Sequence, residues 1–342
     1  MSVQIPFDFN QTSYTQNDFD TKWIDVDLEL DYVYLIVIPL ISLFGFILNI
    51  IIIIIFSNKS FKEIMYKYLK MESIFICINL TIQMLRPVYF YKLSWFSRSQ
   101  ISLIYNEYLL NYMVSCLEMT AFILHILAII DYYLLASNLN QKFKIFYKFS
   151  YIKISISIII ITMICFIFLC FEYSIEQKFV VEVNRTNHVI NDKIIYIYKD
   201  TEFRKTVLFK IIELTVFSIR DGVLLIILII LNILIYFQVV KAIINKRNIL
   251  KSNNQIPIKS AKVTVMVIFG CLNNIMGRTP ILIDFILINA IGWNDTIAIV
   301  NKFACLAVYI SYFFKFFLFL FFNQRFKKIV FNFSTSIFKL FK

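Results

Sequence analysis

Six consecutive isoleucines, Ile50 to Ile55, lie in a stretch, residues 32–56, that contains no charged side chain. Water cannot hold such a stretch open, and a hydrocarbon layer about 30 Å thick is crossed by roughly 20 apolar residues whose backbone bonds are closed within one helix. Segments of that length and character recur at about 32–56, 67–89, 103–136, 150–172, 206–239, 260–290 and 297–322. The third and fifth are longer than a bilayer is thick, which implies tilt or extension beyond the lipid. With 60% hydrophobic and 16% charged residues, the chain has too much apolar surface for a soluble core, so a cytosolic enzyme is excluded. The expectation is an all-α membrane protein: a seven-transmembrane helix bundle followed by a short amphipathic C-terminal helix.

Charge then sets the expected orientation. Residues 1–31 hold seven acids and one basic residue, Lys22. The connections 57–66, 134–149 and 240–259 and the tail 323–342 together hold fifteen Lys and Arg and a single acid, Glu63. AT-rich codons enrich lysine everywhere and cannot produce that alternation, whereas the positive-inside rule does. The reading is a multi-pass plasma-membrane protein with an extracellular tail (1–31), a membrane domain (32–322) and a cytoplasmic helix and tail (323–342). No cleavable leader pattern precedes Asp31, so the first helix is expected to be its own insertion signal. Asn10 and Asn184 head outward-facing Asn-x-Thr triplets and are glycosylation candidates. All six cysteines fall inside spans, so no disulfide is expected.

Three short patterns carry a resemblance. Gly45-Phe46-Ile47-Leu48-Asn49 has the Gly-x-x-x-Asn spacing, Asp131-Tyr132-Tyr133 closes the third span, and Asn323-Gln324-Arg325-Phe326-Lys327-Lys328 opens the tail. In these the chain resembles rhodopsin-like G-protein-coupled receptors, with its nearest likeness among divergent invertebrate peptide receptors of FMRFamide-receptor type. The resemblance implies that Asn49 bonds neighbouring helices and that Asp131, Tyr132 and Tyr133, with Lys246 and Arg247 of the third inner loop, form the face that meets a heterotrimeric G protein. Tyr132 stands where the family has arginine, which implies weak or atypical coupling. The family's acid in the second helix belongs near Ile76 or Cys77, and its Asn-Pro-x-x-Tyr and Cys-Trp-x-Pro runs are missing.

Ionisable side chains inside a span are costly and are read first as functional. Glu118 and His125 lie seven apart on the third span, as do Glu213 and Arg220 on the fifth, beside Asp221. Arg278 and Asp284 lie on the outer half of the sixth. If the receptor arrangement holds, Glu118, Glu213, Arg278 and Asp284 border one outward cavity for a peptide or other zwitterionic ligand; the alternative is that Arg220 pairs with Asp221 or Glu213 between helices and meets no ligand. His125 is read as an interhelical hydrogen-bonding residue, with proton sensing as the alternative. In the second outer loop, Lys178–Val183 and Lys193–Tyr198 are β-prone runs that suggest a hairpin lid.

Function follows as a receptor that transduces an extracellular peptide or small molecule. The alternatives are a non-coupling decoy or binding receptor, a chemosensory receptor for a small molecule and, behind these, a transporter. Two histidines, His125 and His188, exclude a His-rich metal centre, and no Gly-x-Ser-x-Gly marks a nucleophile. Enzyme activity, cofactor, metal and nucleic acid are not expected; the other partner is lipid. After Asn323 the apolar positions recur at helical spacing among basic ones, as in a helix lying on the inner leaflet.

Overall fold

A computed structural model describes residues 33–86, 100–137, 150–183, 190–250, 259–292 and 294–340. Among the described residues the architecture is a helical bundle with one β-hairpin. Helix α1 (Ile38–Phe56) follows a single wide π-turn, Val33–Val37, and a short connection leads to α2 (Ile64–Met84). Helix α3 (Tyr105–Ala136) begins with a π-helical stretch, Tyr105–Met113, and α4 (Tyr151–Phe171) ends in a 3₁₀ turn. Strands β1 (Tyr173–Val183) and β2 (Ile190–Asp200) then pair antiparallel in a register running from Tyr173 opposite Asp200 to Val183 opposite Ile190. Helix α5 comprises Val207–Phe217, a π-turn at Ser218–Val223 and Leu224–Leu250; α6 is Lys259–Ile291, α7 Asp295–Phe322 and α8 Gln324–Leu340.

Six of these, α1 and α3 to α7, are long and apolar enough to cross a membrane. Helix α2 is 21 residues long but carries Lys67, Lys70 and Glu72, which lowers its apolar character. It nonetheless packs lengthwise between α1 and α3. The β-prone Val, Ile and Tyr of the loop after α4 form the hairpin, longer than the sequence pattern suggests.

Boundaries differ from expectation in two places. The stretch read as the start of the third inner loop is helical to Leu250, because Lys, Arg, Ala and Ile in 241–250 are compatible with continuing the turn. Helix α2 stops at Met84, short of Pro87, which cannot donate a helical bond.

Close approaches position the bundle. Asn49 is fully buried, and its Nδ2 donates to the Gly45 carbonyl (2.8 Å) and to the Tyr312 carbonyl of α7 (3.4 Å). A Cβ on Gly277 of α6 would lie 2.8 Å from both Cβ and Oγ of Ser311 on α7, so only glycine allows these helices to touch there. Gly292, with φ of 80°, ends α6, and the Asn294 side chain caps α7 by accepting from the Ile297 N–H. At the α8 end, Phe56 meets Phe319 and Phe326, and Phe316 meets Phe326, edge to face, while Phe319 and Phe326 lie tilted.

Candidate functional site

Among the described residues, cavities lie inside the bundle toward each of its ends. The hairpin-side cavity is narrow and opens to solvent. Its polar walls are Gln83 and Arg86 at the end of α2, Asn111 and Glu118 of α3, and Asn301 and Tyr309 of α7. The second cavity lies toward α8 between α2, α3, α6 and α7, with His125, Asn273, Asn274 and Lys315 at its polar side.

Glu118 is where the first cavity meets a ladder of buried charge. Arg278 Nη1 donates to Glu118 Oε2 (3.2 Å), and Nη2 donates to the Glu118 carbonyl and to the Tyr312 hydroxyl (3.2 Å each). Arg278 lies 3.9 Å from Asp221, which is gripped by Arg220: Nε to Oδ1 at 2.9 Å and Nη2 to Oδ2 at 2.6 Å. Both members of that last pair are fully buried. The π-turn at Ser218–Val223 widens α5 at this pair, and such insertions commonly mark functional places in helices. Aromatic faces complete the setting, with Arg220 over Phe217 and Arg278 over Phe122 at 4.6 and 5.2 Å.

A second cluster borders the other cavity. Lys315 Nζ is 2.7 Å from Glu72 Oε2, and the same oxygen is 3.2 Å from His125 Nδ1. Asn274 Nδ2 lies 2.9 Å from His125 Nε2 and 3.1 Å from the Gly270 carbonyl. His125 is thus held between Asn274 of α6 on one ring nitrogen and Glu72 of α2 on the other. On α7, Tyr312 holds Arg278 through its hydroxyl, and the carbonyl of adjacent Ser311 accepts from Asn273 Nδ2 (2.8 Å), a residue that borders the second cavity.

At the α8 end, uncharged bonds stand beside the Arg325–Glu63 ion pair (2.8 Å). The Tyr132 hydroxyl bonds the Thr264 hydroxyl, tying α3 to α6. The Met65 N–H in the first turn of α2 donates to Asp131 Oδ2 (2.8 Å), so a carboxylate from α3 caps α2 where the helix dipole favours negative charge. Asn323 donates to the Tyr66 hydroxyl and caps α8 through the Phe326 N–H.

The hairpin is clasped at its base. Arg204 Nε lies 3.2 Å from Glu172 Oε1 and its guanidinium stacks over Tyr173 at 4.3 Å, while Nη1 bonds Asp200. Burial pushes the Glu172 carboxyl up to about 8; Arg204 opposes the rise, and the neighbouring acids Glu107 and Glu213 add to it. Burial, then the Glu172 charge, push the Tyr173 phenol up as well.

The four residues expected to share one cavity are therefore divided. Glu118 borders it and Arg278 stands behind Glu118. Asp284 is fully buried one residue further back, accepting from Asn301 Nδ2 (2.6 Å). Glu213 is not in that group; it interacts with Arg204 and Lys210 at the hairpin base. Of the expected coupling residues, Asp131 and Tyr132 make the contacts above, and Tyr133 packs on the core at that end. Lys246 and Arg247 are in the last turns of α5, and their side chains, like Asn10 and Asn184, lie outside the described residues. Glu72, Lys315, Arg86 and Asn274 were missed by sequence reasoning. The signal was present for Lys315, a lone cation amid phenylalanines, but nothing linear connects it to Glu72.

Compared with protein-family models and with curated proteins, the chain finds no match.

Proposed function

We propose that this chain is a seven-helix receptor of the plasma membrane, rhodopsin-like in plan, with α2 as its seventh span. In this reading the hairpin end faces outside, the N-terminal tail is extracellular, and α8 lies on the cytoplasmic leaflet. Lys67, 5.4 Å from the Tyr151 ring near the inner end of α2, is placed to snorkel toward the interface. A short peptide or small molecule enters the hairpin-side cavity, and a G protein meets the end carrying Asp131, Tyr132 and Tyr133.

One observation carries the proposal: a chain of buried polar contacts runs from the outer cavity through Glu118, Arg278 and Tyr312, across one residue of α7, to Asn273 at the inner cavity. Such groups are expensive in a membrane core and are retained where two arrangements must be told apart. A ligand that binds better when α3 and α6 part at their inner ends shifts the population toward that state, breaking the Tyr132–Thr264 bond. The second reading, a decoy that binds without coupling, is favoured by Tyr132 standing where the family's guanidinium would engage the G protein.

A peptide-library screen on intact cells, read for surface binding and nucleotide exchange together, tests this. A peptide that binds and stimulates exchange supports the receptor reading. Binding without exchange selects the decoy, and ligand-dependent solute flux without exchange removes both.

A further inference from the structure

We propose that the base of the hairpin is a proton-binding site: the carboxyl pair of Glu107 and Glu172 holds one proton and, on losing it, loosens the hairpin from the bundle. Acid closes this clasp and alkali eases it. The site does not rest on the receptor reading, which adds only that the protons come from outside the cell.

Three elements meet there. Glu107 lies in the π-helical stretch that opens α3, Glu172 directly follows the 3₁₀ turn of α4, and Lys210 and Glu213 lie in the first part of α5. Glu172 is fully buried and Glu107 is 2% exposed. The cation set against this pair is Arg204, whose Nε is 3.2 Å from Glu172 Oε1 and whose charge also acts on Glu107. With each charge counted once, Arg204 offsets one carboxylate of the pair, and exposed Lys210 offsets at most the third acid, Glu213. The second carboxylate of the pair is left for a proton to neutralise. Asp200 shares Arg204, and Lys199, Glu202 and Lys205 lie nearby, but these are exposed and water screens them. The remaining titratable neighbours, Cys170, Tyr173 and Tyr105, Tyr108 and Tyr112 of α3, are neutral as thiol and phenols.

A separate observation points to the same place. Glu107 Oε2 accepts from Asn111 Nδ2 (3.2 Å), while the buried Oε1 has no hydrogen-bond partner among the described residues. A charged oxygen left so costs far more than a neutral one, and a proton needs no cavity. Access is short, because the Arg204 side chain is 26% exposed and the pair lies behind it. Burial pushes the Glu172 carboxyl up to about 8 against the pull of Arg204, and Glu107 and Glu213 add to the rise. Losing the proton sets two like charges against each other between α3 and the end of α4. The exit of β2 is tied to that end. The Thr201 N–H donates to the Glu172 carbonyl (3.2 Å), Thr201 Oγ1 donates to the Phe171 carbonyl (2.6 Å), and the Arg204 N–H donates to Thr201 Oγ1 (3.2 Å). Repulsion at Glu172 therefore acts on the joint that holds the hairpin.

The test titrates the full chain in lipid nanodiscs, with isotope-labelled glutamate carboxyls followed by NMR. A carboxyl signal is expected to titrate at about pH 8, to be absent from Glu172→Gln, and to move down by about one pH unit in Glu107→Gln, which removes the like charge and keeps the burial. In the native chain, protection of the Thr201 and Arg204 amides, corrected for intrinsic exchange, is expected to fall at least about tenfold as pH rises from about 4.5 to about 8. It should stay level in Glu172→Gln. A merely structural role for Glu107 would weaken the joint without moving the midpoint. If Glu107→Gln fails to fold, Glu213→Gln, at the half-buried third acid, is expected to move the midpoint the same way by less. A Glu172 signal that titrates near the ordinary value of about 4.3 would overturn the proposal, as would an unmoved midpoint in Glu107→Gln or amide protection that does not follow the titration. Failure of a ligand to bind or to signal would remove the receptor reading and leave this site standing, and failure of the titration would do the reverse.

Discussion

The two halves of the bundle use polar groups differently. Toward the hairpin, Glu118, Arg278, Asp221 and Arg220 are full charges in mutual contact, anchored on α3, α5 and α6 and backed by Tyr312 of α7. Toward α8, the buried cluster of Glu72 with Lys315 and His125 gives way to a hydroxyl pair at Tyr132 and Thr264, to interlocked phenylalanines and, at the surface, to the Arg325–Glu63 ion pair. Breaking a buried ion pair leaves an unpaired charge in low dielectric, while parting two hydroxyls costs about 0.5–1.5 kcal/mol. Of the contacts described, the Tyr132–Thr264 hydroxyl pair between α3 and α6 is the weaker kind, and the buried charge pairs of both halves are the stronger.

Arg278→Ala gives the largest expected effect, because it unpairs Glu118 and removes a cation near Asp221: a loss of about 3–5 kcal/mol, seen as poor surface expression and a lower Tm. The residue first reads as a ligand contact, but its position behind Glu118 makes it the support of one. Normal expression and stability of the variant would mean that the ladder is not what stiffens this half.

At the second cluster, Glu72→Gln and Lys315→Met are each expected to destabilise strongly. The double variant should be less damaging than the sum of the two, since it removes both charges. A double-mutant cycle on thermal stability measures this, and strict additivity would show that the pair does not interact.

The hairpin clasp is expected to respond to pH. Glu172 has a pKa raised to about 8 when folded, against about 4.3 for a free glutamate. Between these values the folded state binds the extra proton, so stability falls as pH rises from about 4.5 to about 8 and is flat above. Hydrogen exchange of β1 and β2 should quicken across that window, and Glu172→Gln should flatten the profile. An unchanged slope in the variant would assign the response to another group.

Tyr132→Phe is the smallest change, removing one hydroxyl bond worth about 0.5–1.5 kcal/mol. Spin labels on the inner ends of α3 and α6 should report a larger separated population with little loss of Tm. Unaltered distances would place the closure in the phenylalanine cluster instead.

Much of the fold was legible because its signals are local. The charge-free run at 32–56, the β-prone runs around Lys178 and Lys193, and the apolar spacing after Asn323 each dictate an element whose backbone bonds close within itself or with its sequence neighbour. The site was legible only in part. Glu118 and Arg278 stand out as charges in apolar surroundings, but so did Glu213 and Asp284, and nothing linear separates those that meet from those that do not.

The sequence by itself determined that the chain is a helical membrane protein, where most of its helices run and which connections are basic, since hydrophobic transfer and backbone hydrogen bonding act residue by residue. The tertiary structure decided which charges neutralise one another. Glu72 meets Lys315, and Arg278 rather than Glu213 reaches Glu118, because the rotational setting of each helix depends on contacts such as Gly277 against Ser311 and on the wide turn in α5. Those settings are properties of packed helices and have no counterpart in any one segment.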